Sequence, residues 1–122
     1  MDASQLRQRI RQRQREIGEQ LGLLKQRRAL IRGNVYNLRR KCGKEGCRCQ
    51  DGHLHESWVL SVPEKGRKRM RAVPEGKLAQ WQQMAERYRR FRRARARLVK
   101  LFSGIIYLVD ELELERTVPP PE

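Results

Sequence analysis

Cys42-Gly43-Lys44-Glu45-Gly46-Cys47-Arg48-Cys49-Gln50-Asp51-Gly52-His53-Leu54-His55 contains all three cysteines and both histidines of the 122-residue chain. Thiolate sulfur and imidazole nitrogen are ligands that Zn²⁺ favours, and a structural zinc takes four of them in a closed tetrahedron. Cys42, Cys47, Cys49 and one histidine supply four. The spacing is C-x4-C-x-C-x3-H-x-H, with Gly43, Gly46 and Gly52 where a short loop must turn back on itself. His53 and His55 are both within reach of such a loop. Whichever is not a ligand is left to donate a hydrogen bond or meet a phosphate. A site closed by four protein ligands has no open position for water or substrate, so the cluster reads as structural Zn²⁺. The catalytic alternative would use the three cysteines plus a water, with Glu45, Glu56 or a histidine as base. The rest of the chain offers no carboxylate pair, no Ser-His-Asp set and no phosphate-cradling glycine loop. No catalytic residue is expected, and the chain is read as not an enzyme.

On the N-terminal side of this loop, nothing from Asp2 to Arg32 breaks a helix. Ile10, Ile17, Leu24 and Ile31 recur every seven residues, with Arg13 and Gln20 interrupting the second seam position. Asp2 and Gln5 have the spacing of a capping box, and Gly33-Asn34 can end the helix. Val35–Leu38 reads as a short extended segment. On the C-terminal side, Trp58–Val62 reads as a strand, Pro63–Gly66 as a turn and Arg67–Val73 as the returning strand of a β-hairpin. If Met70 and Ala72 share a face with Trp58 and Leu60, then Arg67, Arg69 and Arg71 stand together on the other face. Pro74 and Glu75 suit the start of a second helix running to Glu115. One seam of it holds Trp81, Tyr88, Arg95, Phe102 and Val109, and the other Met84, Phe91, Leu98, Ile105 and Leu112. Ser103-Gly104 is its weak point.

The fold class that follows is mainly α: an antiparallel hairpin of two long coiled-coil helices with a small tip made of the zinc loop and a β-hairpin. It is read as one domain, 1–122, comprising helix 1 (2–32), zinc loop and hairpin (34–73), helix 2 (74–115) and a disordered tail (116–122). Two helices alone would leave the seam aromatics half wet, so a homo-oligomer is expected, with a dimer favoured.

Net charge is +15, from 29 basic and 14 acidic residues, and arginine outnumbers lysine 22 to 7. The planar guanidinium fork suits phosphate, which points to a nucleic-acid partner, DNA ahead of RNA. The expected contacts at the tip are Arg39, Arg40, Lys41, Lys44, Arg48, Lys65, Arg67, Lys68, Arg69 and Arg71. On the second helix they are Arg87, Arg89, Arg90, Arg92, Arg93 and Arg97. No recognition-helix pattern is present, so base-specific reading is not expected. An odd number of cysteines argues against a secreted disulfide framework, and no apolar run has membrane length. A cytoplasmic location, at the nucleoid if DNA is the partner, and no membrane contact are expected.

The run Gly33-Asn34-Val35-Tyr36, Arg39-Arg40-Lys41-Cys42-Gly43-Lys44, Gly46-Cys47-Arg48-Cys49, Gly52, His55 and Trp58–Leu60 resembles a small family of uncharacterised bacterial and archaeal proteins. Such proteins are often encoded beside transposases or on mobile elements. The resemblance covers about residues 31–73 and implies His55 as the fourth ligand, with His53 the alternate. The chain departs from that family's pattern in the Glu56-Ser57 that follows His55. It implies genomic company and not a mechanism. The function expected is that of a zinc-stabilised, basic nucleic-acid-binding accessory protein in transposition or recombination. The alternative is a coiled-coil interaction or oligomerisation module that docks on a transposase, recombinase or other partner.

Overall fold

The stretch Asn34-Val35-Tyr36-Asn37-Leu38-Arg39-Arg40 has strand formers at Val35 and Tyr36 and an apolar residue at Leu38 among four polar residues, and it forms a full strand, paired along its length with a second one, rather than a short extended lead-in. The computed structural model describes residues Met1–Glu122. In chain order the elements are α1 (Ala3–Leu24), β1 (Asn34–Arg40), a 3₁₀ turn (Arg48–Asp51), β2 (His55–Glu64), β3 (Arg67–Ala72) and α2 (Leu78–Arg116). The three strands make one antiparallel sheet in the order β1-β2-β3. No helix is long and apolar enough to cross a membrane.

The chain forms two compact units. One is Arg28–Arg89; the other joins Met1–Arg27 to Arg90–Glu122. In the first, β2 is central, and its consecutive residues Val59, Leu60 and Ser61 are all buried, so both faces of the sheet are covered there. The β2–β3 hairpin closes through Lys65 and Gly66, at φ 43° and 80°. Two positive φ values in a two-residue loop match the strand twist. Pro63 is tolerated in β2 because pairing alternates: its nitrogen faces away from β3, beyond Asn34, where β1 has already ended.

In the second unit α1 begins with a capping box. Gln5 N donates to Asp2 Oδ1 (2.8 Å), and Asp2 N donates to Gln5 Oε1 (3.0 Å). Leu6 of α1 and Ala94, Leu101 and Leu108 of α2 are its buried side chains. Arg97 bonds both Glu16 oxygens, at 2.7 and 2.8 Å. Arg13 lies against Gly104, where a Cβ would sit 2.9 Å from its Nε. α2 runs unbroken past Gly104, so the glycine makes room for Arg13 instead of marking a kink.

These observations correct the expected fold class. Instead of a long coiled-coil hairpin with a two-stranded tip, the chain has two helices and a three-stranded antiparallel sheet. α1 ends at Leu24, not Arg32. Residues beyond it bond elsewhere: Ile31 N donates to Met84 O (3.1 Å), and Arg87 donates to Ala29 O (2.8 Å). Gly33 is not a helix cap but a close approach, since a Cβ there would lie 2.7 Å from Ser61 O. α2 starts at Leu78, not Pro74, because Pro74–Lys77 form a turn with Gly76 at φ 79°. The expected seam through Phe102 and Val109 is displaced by one residue: Leu101 and Leu108 are buried, while Phe102 and Val109 are 51% and 44% exposed.

Candidate metal centre

The antiparallel pairing of β1 with β2 runs from Asn34↔Ser61 to Arg40↔His55. The last pair brings the end of β1 and the start of β2 side by side. Cys42 lies two residues past β1, and His55 is the first residue of β2. The connection between them doubles back through Gly46 (φ 73°) into the 3₁₀ turn, which Cys47 precedes and in which Cys49 lies. Gln50 N donates to Cys47 O (3.0 Å) and His53 N to Arg48 O (3.2 Å), with Gly52 at φ 94° ending the turn. This fold-back carries Cys47 and Cys49 to the strand ends.

One ligand atom from each of Cys42, Cys47, Cys49 and His55 lies within 4.8 Å of every other. Cys42 Sγ and Cys49 Sγ are 3.5 Å apart, and Cys47 Sγ and His55 Nε2 are 3.2 Å apart. A disulfide needs about 2.05 Å between sulfurs, so the cysteines are free thiols. A tetrahedron with Zn–S near 2.3 Å and Zn–N near 2.0 Å has edges of about 3.8 Å (S–S) and about 3.5 Å (S–N). The Cys42–Cys49 and Cys47–His55 separations are within about 0.3 Å of these edges, and every other separation is at most 4.8 Å, so the four donors can close on such an ion with shifts of up to about 1 Å. His53 is outside the group.

Cys42 N donates to Cys49 Sγ (3.3 Å), a bond of the kind that supports a metal-bound sulfur. Cys49 is fully buried and Cys47 only partly. A backbone hydrogen bond from Cys49, with further bonds from Cys42, Cys49 and His55, pulls the Cys47 thiol down to about 6. For Cys49 the Cys42 N–H favours the thiolate, but burial and the neighbouring thiols outweigh it and the thiol stays above its ordinary value.

Residues 4–83 match the family described as Domain of unknown function (DUF6788). The chain belongs to that family. The matched span of this DUF6788 chain takes in all four donors and the whole sheet. No curated protein and no solved structure matches the chain.

The basic residues divide between the two units. Arg39 pairs with Glu56 (3.3 Å) across the β1–β2 ladder, beside the Cys₃His cluster. Arg40, Lys41, Lys44 and Arg48 are exposed around it. Leu60 faces Arg71, Val62 faces Arg69 and Glu64 faces Arg67, so Met70 and Ala72 stand with Ser61 and Val59. The three arginines therefore share the face of Trp58 and Leu60, so the condition under which they would stand on the opposite face, Met70 and Ala72 beside Trp58 and Leu60, is not met. Arg71 also sits over the Trp81 ring at 5.9 Å. Lys65 and Lys68 are exposed. On α2, Arg87 bonds the Ala29 carbonyl, Arg89 pairs with Glu86 (2.6 Å) and Arg97 pairs with Glu16. Arg90, Arg92 and Arg93 belong to the helical unit.

A cleft of about 600 Å³ in the sheet unit includes Arg32, Tyr36, Ser61, Lys68, Tyr88 and Arg89 in its lining. Tyr36, Ser61 and Lys68 share one face, as the pairing of β2 with both neighbours shows. Sequence reasoning missed Tyr36 and Arg32 because the β1–β2 register was unknown, and it assigned Tyr88 to a helix seam.

Proposed function

We propose that this DUF6788 chain is a non-enzymatic nucleic-acid-binding accessory protein in which Cys42, Cys47, Cys49 and His55 hold one structural Zn²⁺. The observation that carries this reading is the convergence of four soft and borderline donors at the strand ends, directly beside exposed Arg40, Lys41, Lys44 and Arg48. An S₃N donor set suits Zn²⁺ and leaves no coordination position open for chemistry. The ion would tie the end of β1 to the start of β2 and so fix where those cations stand. Phosphate recognition follows from charge: +15 overall, with a second group of exposed cations at the other end of β2, Arg67 and Arg69 on one face of the sheet and Lys68 on the other. The cleft between Tyr36 and Tyr88, flanked by Arg32, Lys68 and Arg89, gives an unpaired base an aromatic surface and its phosphate a cation. The genomic company of the proteins that the chain resembles supports a role in transposition or recombination, with a transposase as the proposed partner.

The test is fluorescence anisotropy on zinc-loaded protein with duplex DNA, single-stranded DNA and structured RNA across a salt series. If about five phosphates are neutralised, log affinity for duplex falls with log salt at a slope of about −4.5. Charge reversal at Arg40, Lys41 and Arg48 should flatten that slope. Absence of binding at low salt would overturn the reading.

A further inference from the structure

One face of α2 carries an apolar stripe that the chain leaves uncovered. Steps of four and three residues keep Arg95, Val99, Phe102, Ile106, Val109 and Glu113 on a single face. The four apolar members are 54%, 51%, 60% and 44% exposed. The buried row Ala94, Leu101 and Leu108 lies one residue, about 100°, round the helix. The helix thus spends one face on its own chain and presents a second, with a cation at one end and an anion at the other. Neither Arg95 nor Glu113 has an ion-pair partner within its own chain.

The stripe is complementary to itself in reverse. Measured from Gly104, Phe102 and Ile106 lie two residues to either side, Val99 and Val109 five, and Arg95 and Glu113 nine. We propose that two copies of this chain associate through α2 as an antiparallel pair, with the two-fold axis crossing the helix level with Gly104. Phe102 then meets Ile106 of the second copy, Val99 meets Val109, and Arg95 meets Glu113, each contact occurring twice as an isologous interface requires. A parallel arrangement would set Arg95 against Arg95 and Glu113 against Glu113, so the end charges select the antiparallel one. A single helix crossing is a small interface, and the association should depend on protein concentration.

Sedimentation equilibrium across a concentration series tests this with the full chain. Wild type should shift from monomer to dimer, and Phe102→Glu should remain monomeric. Arg95→Glu and Glu113→Arg should each weaken association about tenfold or more, because each sets like charges opposite one another at two places. The double variant Arg95→Glu/Glu113→Arg should recover wild-type association. All these sites are exposed, so the far-UV circular dichroism of every variant should match wild type. A wild type that is monomeric throughout would overturn the proposal. So would a dimer that Phe102→Glu leaves intact, or a double variant as weak as the single ones.

Discussion

Leu101→Ala separates the buried row of α2 from the one that its aromatics advertise. Leu101 is 2% exposed and Phe102, its neighbour, 51%. Truncating a fully buried leucine costs the transfer of the lost methylenes plus the cavity left behind, about 3–5 kcal/mol where surrounding atoms relax little. Phe102 has already left half its surface in water, so its truncation to alanine costs the monomer about 1 kcal/mol on area grounds. For a chain of this length melting in one transition, the unfolding entropy is about 0.26 kcal/mol/K, so Leu101→Ala lowers Tm by about 12 °C or more. Urea titrations followed by circular dichroism give both values. They should be run dilute enough that melting no longer varies with protein concentration, which removes any contribution from self-association. A loss below about 1 kcal/mol for Leu101→Ala, or an equal loss for Phe102→Ala, would refute this placement of the row.

Gly33→Ala should destabilise the sheet unit by about 1–3 kcal/mol, because the new Cβ meets Ser61 O at 2.7 Å and that oxygen belongs to the backbone; thermal melts read it. Lys65→Asn should raise stability by a few tenths to about 1 kcal/mol, since asparagine tolerates the positive φ of 43° better than lysine, and urea midpoints report the gain. The hydrogen bond from Arg97 outweighs the opposing effect of burial and, with lesser help from the charges of Arg97 and Arg13, holds the Glu16 carboxyl below its ordinary value. Its contribution is therefore complete above about pH 4.5, the ordinary value, and is lost as pH falls through the lowered one. Glu16→Gln should reduce the slope of Tm against pH on that acid limb and leave the remaining slope to other carboxylates.

The Cys₃His cluster was legible because its residue types are scarce and close together: three cysteines fall within eight residues of so basic a chain. The choice between His53 and His55 was not legible from spacing. The β1–β2 register brings His55, and not His53, to the three cysteines, by setting it opposite Arg40 at the strand end. The hairpin turn was read over Pro63–Gly66, of which only Lys65 and Gly66 form it while Pro63 and Glu64 belong to β2. The capping box at Asp2 was local and could be read. The end of α1 could not, because Lys25–Arg32 is made of good helix formers and leaves the helix only to bond Met84 and Arg87, which lie far away in sequence. β1 was underestimated for the same reason, as its partner is reached only across the metal loop. On α2 the large aromatics drew attention from Ala94, whose small side chain lets that row pack close, whereas Arg95 one residue later breaks the seam assigned to Phe102.

Zinc content, measured by elemental analysis on protein purified without chelator, checks the metal centre most directly when wild type is set beside His53→Ala and His55→Ala. One Zn²⁺ per chain is expected for wild type and His53→Ala, with loss of most of it in His55→Ala. A wild type with no bound metal, or a His55→Ala protein that retains a full equivalent while His53→Ala loses it, would contradict the assignment of Cys42, Cys47, Cys49 and His55.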